Sequence, residues 1–354
     1  MPFYNREKDI SRLKAVLSGE PNLVYFVYGP INSGKTALLN RVFEELDDSY
    51  RVFYINFRGV EGGYKKFTRT LFELGDERLW RTLRERASFV AAAVEYVERV
   101  AKKLNTSIEL PSEVIRSLQV GDADPEKLDV FKYLEKVIRR LREGGKRPVL
   151  VFDELQVIKD ELNATGMPLL ARLFNFLVRM TKETHLCHCL CATSDCLFIE
   201  QIYASARLEG RADYILVDDL DKDEAYVLYE HFGFEDKELV WDYIGGKVGD
   251  MVRLYEKRKR ESSEEEALGS MLREEADRLD DLLERVEEGE FEVRVDEVKQ
   301  ALELFKEEYE VPKRAIPRYI RGFLVSENIL FYNPLTGTVK PQGRLIWHAI
   351  REVV

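Results

Sequence analysis

The chain has 354 residues, 45% of them hydrophobic, which is enough to build the cores of two or three domains. It contains no apolar run long enough to span a membrane and no signal-peptide core at its N-terminus, so we expect a cytoplasmic protein that does not engage a membrane. Its four cysteines all lie between Cys187 and Cys196, too close together for a disulfide framework. Charged residues make up 34% of the chain while Asn and Gln are scarce, a balance typical of thermophiles.

The formal net charge of −11 is unevenly distributed. Residues 261–310 contain 20 acidic and 6 basic side chains, whereas residues 311–354 contain 7 basic and only 2 acidic ones. An acidic middle segment therefore hides a basic C-terminal module.

Strand and helix signals alternate through residues 1–220, which predicts an α/β domain with a mainly parallel sheet. The expected strands are Leu23–Tyr28, Arg51–Asn56, Pro148–Phe152, His188–Ala192 and Tyr214–Val217. Residues 61–142 read as a helical insertion after the second strand. Residues 221–260 form a small helical subdomain interrupted by glycines.

Residues 261–354 combine acidic helices with the basic C-terminal module. A helix over Lys313–Ser326, a hairpin of Ile329–Tyr332 and Thr338–Lys340, and a final helix over Leu345–Val353 follow one another. This order suggests a winged helix. The expected domains are thus 1–220, 221–260 and 261–354.

The clearest motif follows the first strand and matches the P-loop pattern G-x-x-x-x-G-K-[ST] without a mismatch. Such a loop presents backbone N–H groups to phosphate at the start of a helix, and its glycines permit the close approach. We expect Lys35 to reach the β- and γ-phosphates and the Thr36 hydroxyl to ligate Mg²⁺. The predicted nucleotide-binding residues of this segment are Gly29, Pro30, Ile31, Asn32, Ser33, Gly34, Lys35, Thr36 and Ala37.

A second acidic site is needed for hydrolysis, and the apolar strand at Pro148–Phe152 ends in Asp153 and Glu154. Asp153 is placed to hold Mg²⁺ directly or through water, and Glu154 to orient and activate the attacking water. Hydrolysis would convert a bound nucleoside triphosphate to the diphosphate.

Two further residues are candidates for a role in catalysis, but a purely structural role explains each of them equally well. Thr193, at the end of the next strand, is placed to contact the γ-phosphate or the water, unless it and Ser194 simply cap the loop. Arg211 is a candidate sensor of the γ-phosphate or an arginine finger, in cis or in trans, unless it is an ordinary surface residue. Alternating Cys187, Cys189 and Cys191 indicate one packed face of a strand more than a metal site.

With these residues in hand, the chain resembles the archaeal ATPase branch of the STAND class, P-loop NTPases related to AAA+ proteins. The resemblance rests on the P-loop, on Asp153-Glu154-Leu155-Gln156, on Gly210-Arg211, and on two further segments. Phe3–Ile10 looks like the family's N-terminal element, which implies that Arg6 and Glu7 lie by the adenine. Ile244–Gly249 looks like the glycine-rich turn of the family's helical lid, although Val248 replaces the usual proline. The resemblance implies ATP rather than GTP, and no guanine-specificity motif of the N/T-K-x-D kind is present.

The basic C-terminal module predicts contacts with double-stranded DNA, since a winged helix meets phosphates and base edges with such residues. Arg314, Arg318 and Arg321 are spaced to share one helix face. The alternatives are a solvated face or an intramolecular site for the acidic 261–310 segment. The predicted contact set is Lys313, Arg314, Arg318, Arg321, Lys340 and Arg344.

The sequence therefore favours a slow, Mg²⁺-dependent ATPase that acts as a nucleotide-dependent switch. A DNA-binding regulator with ATP as an allosteric ligand is the first alternative. The second is an adaptor whose acidic helices dock a basic protein partner.

Overall fold

The computed structural model describes residues 6–57, 130–158, 169–203 and 208–354. Its central feature is a five-stranded sheet in the order β2-β3-β4-β1-β5, with all neighbours parallel. The five strands lie where the sequence predicts them and confirm the α/β fold class. Their bounds are β1 Val24–Tyr28, β2 Tyr50–Asn56, β3 Arg147–Asp153, β4 His188–Thr193 and β5 Ala212–Leu216.

The register of the strands brings the chemistry to one edge of the sheet. Tyr28, the last residue of β1, pairs with Thr193 at the end of β4, and Asp153 at the end of β3 pairs with Ala192. Because the strands are parallel, the P-loop, the acidic pair and Thr193 leave the sheet side by side.

Helices cover both faces of this sheet, because successive side chains of a strand point to opposite faces. On one face, α1 and α2 pack through Leu13 and Leu38 against Val149 and Leu190. The other face is covered by α3, α4 and α5. Their bounds are α1 Glu7–Ser18, α2 Lys35–Glu44, α3 Val130–Glu143, α4 Leu169–Val178 and α5 Cys196–Tyr203. Of the predicted insertion at 61–142, only α3 belongs to the described residues.

The glycine-interrupted segment 221–260 contains three helices. They are α6 Lys222–Phe232, α7 Lys237–Tyr243 and α8 Val248–Lys257. Two acidic helices follow, α9 Glu264–Glu287 and α10 Val295–Glu303. None of the helices among the described residues is long and apolar enough to cross a bilayer.

The C-terminal module is an antiparallel sheet in the order β6-β8-β7 with two helices against it. Its elements are β6 Val311–Pro312, α11 Arg318–Ser326, β7 Leu330–Asn333, β8 Thr338–Pro341 and α12 Arg344–Val353. The apolar core of this module is continuous with the sheet face under α3, α4 and α5, so the two parts pack as one body.

The predicted helix over Lys313–Ser326 is wrong in its first turn. A short 3₁₀ turn spans Lys313–Ala315, the backbone then becomes extended at Ile316, and α11 begins only after Pro317. Proline disfavours helical conformation in the residue before it, so Ile316 cannot continue the turn. Arg314 consequently does not share a helix face with Arg318.

Candidate functional site

The P-loop connects β1 to α2 with the backbone shape that its glycines allow. A Cβ on Gly29 would lie 2.0 Å from the Val217 carbonyl oxygen, so only glycine fits against the end of β5. Gly34 has φ +92°, a left-handed conformation that favours glycine, and it caps α2 without a side-chain hydrogen bond. The first N–H groups of α2 are thus left without a capping side chain, which fits the binding of phosphate.

Lys35 lies inside this loop, almost fully buried. Its ammonium donates to the carbonyl oxygens of Gly29 at 3.1 Å and Pro30 at 2.8 Å. Burial lowers the pKa of Lys35 to about 8, against the opposing influence of the nearby Glu154 carboxylate. The buried ammonium is thus held by the carbonyl oxygens of the loop itself.

The two predicted metal ligands are in contact. Thr36 Oγ1 donates to Asp153 Oδ2 at 2.9 Å, and the Tyr54 hydroxyl on β2 donates to the same oxygen. The other carboxylate oxygen accepts from the Glu154 backbone N–H at 3.0 Å. A hydroxyl and a carboxylate side by side are hard oxygen donors of the kind Mg²⁺ prefers, so the residues present fit the ion.

A chain of hydrogen bonds holds the second carboxylate. Gln156 donates to Glu154 Oε2 at 2.5 Å and accepts from Thr193 Oγ1 at 2.7 Å. Glu154 is buried and has φ +58°, which is rare for a residue with a side chain and marks a strained position. Thr193 therefore reaches Glu154 through Gln156, whose role in the site the sequence reasoning missed.

Arg6 is buried and ties three segments together. Its guanidinium donates to the Ser33 carbonyl at 2.5 Å and the Asp218 carbonyl at 2.7 Å, and it pairs with Asp9 at 2.9 Å. It thereby supports the P-loop from the N-terminus of the chain. Glu7, its predicted companion, is exposed in the first turn of α1.

The structure does not bring Arg211 to this site. Ala212 pairs with Val24 at the start of β1, so Arg211 is exposed at the opposite edge of the sheet. The five residues of β1 separate it from the P-loop by about 16 Å. A role for Arg211 in the site of its own chain is therefore wrong, and its action in trans stays a prediction.

The glycine-rich turn packs directly on the P-loop. Lys247 donates to the Ile31 carbonyl at 3.0 Å, and the Gly249 N–H donates to the Asn32 carbonyl at 3.3 Å. A Cβ on Gly246 would meet the Leu220 carbonyl oxygen at 1.8 Å, so this turn also needs glycine. The α6–α8 subdomain, called the lid below after its predicted role, thus contacts the P-loop with a valine at position 248.

The C-terminal module also reaches the site through the segment 340–343. Lys340 pairs with the Asp218 carboxylate at 2.7 Å, and Gln342 Oε1 accepts from the Ile31 backbone N–H at 3.3 Å. Gly343 lies against the side chain of Lys247. One short segment thereby contacts the end of β5, the P-loop and the lid.

These contacts bear on the prediction that the basic C-terminal residues bind DNA. Arg321 is 6% exposed and pairs with Glu200 at 3.4 Å, and Arg344 stacks on Trp241 of the lid. Arg321, Lys340 and Arg344 therefore face their own chain rather than solvent, which corrects their place in the predicted DNA-contact set. The intramolecular partners belong to the core and lid, not to the acidic 261–310 segment. Lys313, Arg314 and Arg318 are exposed.

Comparisons with known proteins agree with this geometry. The family described as "ATPase domain predominantly from Archaea" matches residues 3–254. The chain belongs to this family of archaeal ATPases. A second family, the C-terminal domain of MJ1010-like uncharacterized ATP-binding proteins, matches residues 265–354.

Relatives extend over the whole chain. An "Uncharacterized ATP-binding protein MJ0075" of Methanocaldococcus jannaschii is 42% identical, covering 100% of this chain and 99% of its own. Among solved structures, the Walker-type ATPase PABY2304 of Pyrococcus abyssi has a TM-score of 0.65 at 15% identity, covering 99% and 96% of the two chains. The ORC2 protein of Aeropyrum pernix has a TM-score of 0.51 at 14% identity, covering 100% and 94%. These structural likenesses support the fold.

Proposed function

We propose that this protein is a Mg²⁺-dependent ATPase that works as a nucleotide-controlled switch. The observation that carries the proposal is the contact between Thr36 and Asp153, with Glu154 next in the chain. A hydroxyl and a carboxylate lie together beside a second, buried carboxylate next to the P-loop, which supports a metal site and an attacking water there. The names of the relatives, which describe ATP-binding proteins, support the same nucleotide.

The position of each residue indicates its role in the reaction. The P-loop N–H groups and Lys35 bind the phosphates, and Lys35 exchanges its carbonyl partners for phosphate oxygens. Thr36 and Asp153 would hold Mg²⁺, which neutralises charge on the phosphates when bound. Glu154 orients the attacking water and accepts its proton, while Gln156 and Thr193 fix the direction of that carboxylate.

Phosphate release by the purified chain tests this assignment. Lys35→Ala should abolish nucleotide binding, whereas Glu154→Gln should bind ATP and fail to turn it over. Glu44→Gln, an exposed position on α2, is the matched control and should behave as wild type. Turnover by Glu154→Gln at the wild-type rate would remove Glu154 from the mechanism.

The switch part of the proposal rests on segment 340–343. Since it contacts the β5 end, the P-loop and the lid, any shift of these parts on ATP binding changes its surroundings. We propose that residues 1–220 form the ATPase core, 221–260 the lid, and 261–354 a winged-helix output domain of a STAND-class protein. Nucleotide state would be passed to this domain through segment 340–343.

The native cysteines make the switch measurable. All four are buried, so labels attach selectively to cysteines introduced at exposed Glu44 and Arg314. The distance between the labels should differ between ADP and ATP when hydrolysis is blocked by Glu154→Gln. The same pair in Lys35→Ala should show no difference, and equal distances in all states would refute the switch.

Exposed Lys313, Arg314 and Arg318 favour DNA as a second candidate ligand. Binding through them would weaken steeply with salt, because phosphate contacts release counterions. Duplex titrations of Arg314→Ala/Arg318→Ala against wild type test this idea, and unchanged affinity would exclude it.

A further inference from the structure

One buried cation of the site is not used by the chemistry above. Lys247 precedes the first residue of α8, and only 5% of its surface is exposed. Its ammonium donates to the Ile31 carbonyl at 3.0 Å and lies 3.4 Å from Asp219 Oδ1. Burying an ammonium is costly unless it is closely paired, and the ion pair of Lys247 with Asp219 is long at 3.4 Å.

A second ammonium lies on the next carbonyl of the same loop. Lys35 binds the Pro30 carbonyl and Lys247 binds the Ile31 carbonyl. Both side chains are buried, with 8% of Lys35 and 5% of Lys247 exposed. Two buried ammonium groups on adjacent carbonyls of one loop repel each other, and an anion that contacts both is attracted more strongly than by either alone.

We propose that Lys247 is a second phosphate-binding lysine, supplied by the lid, and that it contacts the terminal phosphate of ATP. The inference rests on the proposed ATP site. In a P-loop the backbone after the second glycine holds the α- and β-phosphates, and the motif lysine reaches the β- and γ-phosphates. Lys247 lies on the other half of the loop, beside Lys35, and so faces the last phosphate of the row.

The C-terminal module restricts where this side chain can go. A Cβ on Gly343 would lie 2.5 Å from Lys247 Cε and 3.1 Å from Cδ, so the lysine stem occupies the room that the glycine leaves. Lys247 is therefore held between the P-loop and the output domain. Movement of its ammonium from the Ile31 carbonyl to a phosphate would change this packing.

The decisive variant is Lys247→Gln in the full chain. Glutamine keeps a hydrogen-bond donor and most of the length of the side chain, while the charge is lost. The matched control is Lys257→Gln, at the other end of α8, where the lysine contacts Ser270 and Glu274 away from the loop. Isothermal titration with Mg²⁺-ATP and Mg²⁺-ADP gives both affinities, and thermal melts verify folding.

Lys247→Gln should bind ATP about tenfold more weakly than wild type, as expected for the loss of one charged hydrogen bond, and ADP almost unchanged. Lys257→Gln should leave both affinities within about twofold. An equal loss for ATP and ADP would assign Lys247 to lid structure alone, and no loss would remove it from the site; either result overturns the inference. Failure of the wild-type chain to bind ATP would refute the proposed function instead.

A second variant keeps the test open if Lys247→Gln does not fold. Gly343→Ala retains the lysine but places a methyl group where its stem lies, and position 343 has an extended backbone that alanine adopts without strain. The ratio of ATP to ADP affinity should fall in this variant. An unchanged ratio in a folded Gly343→Ala protein would contradict the inference.

Discussion

Substitution of Gly249 by alanine has two opposing effects: it favours the helical conformation, and it creates a steric clash between the lid and the P-loop. Gly249 is the second residue of α8, and alanine usually stabilises a helix over glycine by about 0.5–1 kcal/mol. Here a Cβ would lie 2.6 Å from the Cβ of Asn32 in the P-loop. Asn32 cannot yield easily, because its Cβ is fixed to a loop backbone that already has φ +59°.

The geometry gives the size of the conflict. Ordinary contact begins at 3.4 Å, so the start of α8 must move away from the P-loop by about 1 Å. The hydrogen bond from the Gly249 N–H to the Asn32 carbonyl is already 3.3 Å long and would be lost. Overpacking of this kind costs about 1–3 kcal/mol, which exceeds the helix gain, so we expect a net loss of stability.

Thermal melts and nucleotide titration of three variants measure the outcome. Gly269→Ala and Gly322→Ala are controls in α9 and α11, where a Cβ meets at most one flexible arginine tip at 3.6 Å. They should raise the melting temperature, by about 1 °C if the whole chain unfolds together and about 5 °C if a 90-residue unit unfolds alone. Gly249→Ala should melt lower and bind nucleotide more weakly. If it melts as high as the controls with wild-type affinity, the lid does not press on the P-loop.

Three further variants test separate contacts. Tyr54→Phe removes a donor to Asp153 and should raise the Mg²⁺ concentration for half-maximal ATPase activity by about tenfold, with metal-free nucleotide binding unchanged. Burial raises the pKa of Asp250 to about 6, so the folded protein holds a proton that the unfolded chain releases near pH 4, and stability falls as pH rises between these values. Asp250→Asn should abolish this fall in melts from pH 4 to 7. Lys340→Ala and Asp218→Asn should show a coupling of about 1 kcal/mol in a double-mutant cycle at low salt, shrinking as salt rises.

The sequence predicts the sheet, the P-loop and the acidic pair because the sequence patterns that indicate them are local. An apolar run before Gly29 and a helical pattern after Thr36 fix the P-loop, and another apolar run fixes Asp153 at a strand end. Parallel pairing then brings both motifs to the same edge. Local motifs together with the rule for parallel sheets are therefore enough to put the P-loop and the acidic pair at one edge.

The missed residues are those whose roles depend on distant contacts. Tyr54 looks like any strand tyrosine, and Lys247 like any surface lysine of a glycine-rich turn, until the lid closes on Ile31. Arg211 is different, because the pattern already shows that it precedes a strand, and in a parallel sheet the residue before a strand lies at the edge opposite to a loop that follows one. Pro317 was the one local signal for the interrupted C-terminal helix, because it disfavours helix at Ile316.

The apolar core that joins the C-terminal module to the parallel-sheet domain limits how the proposed switch can move. Ile320 and Phe331 belong to the same buried apolar cluster as Phe198 of the ATPase core. Full separation would expose these side chains at about 25 cal/mol per Å² of apolar surface, far beyond the 1–3 kcal/mol typical of coupling between sites. The polar contacts of Lys340 and Gln342 can instead exchange within that range. We therefore expect ATP to shift the output domain by a few ångströms about an intact apolar core, and a fully detached domain in the ATP state would refute this mode of action.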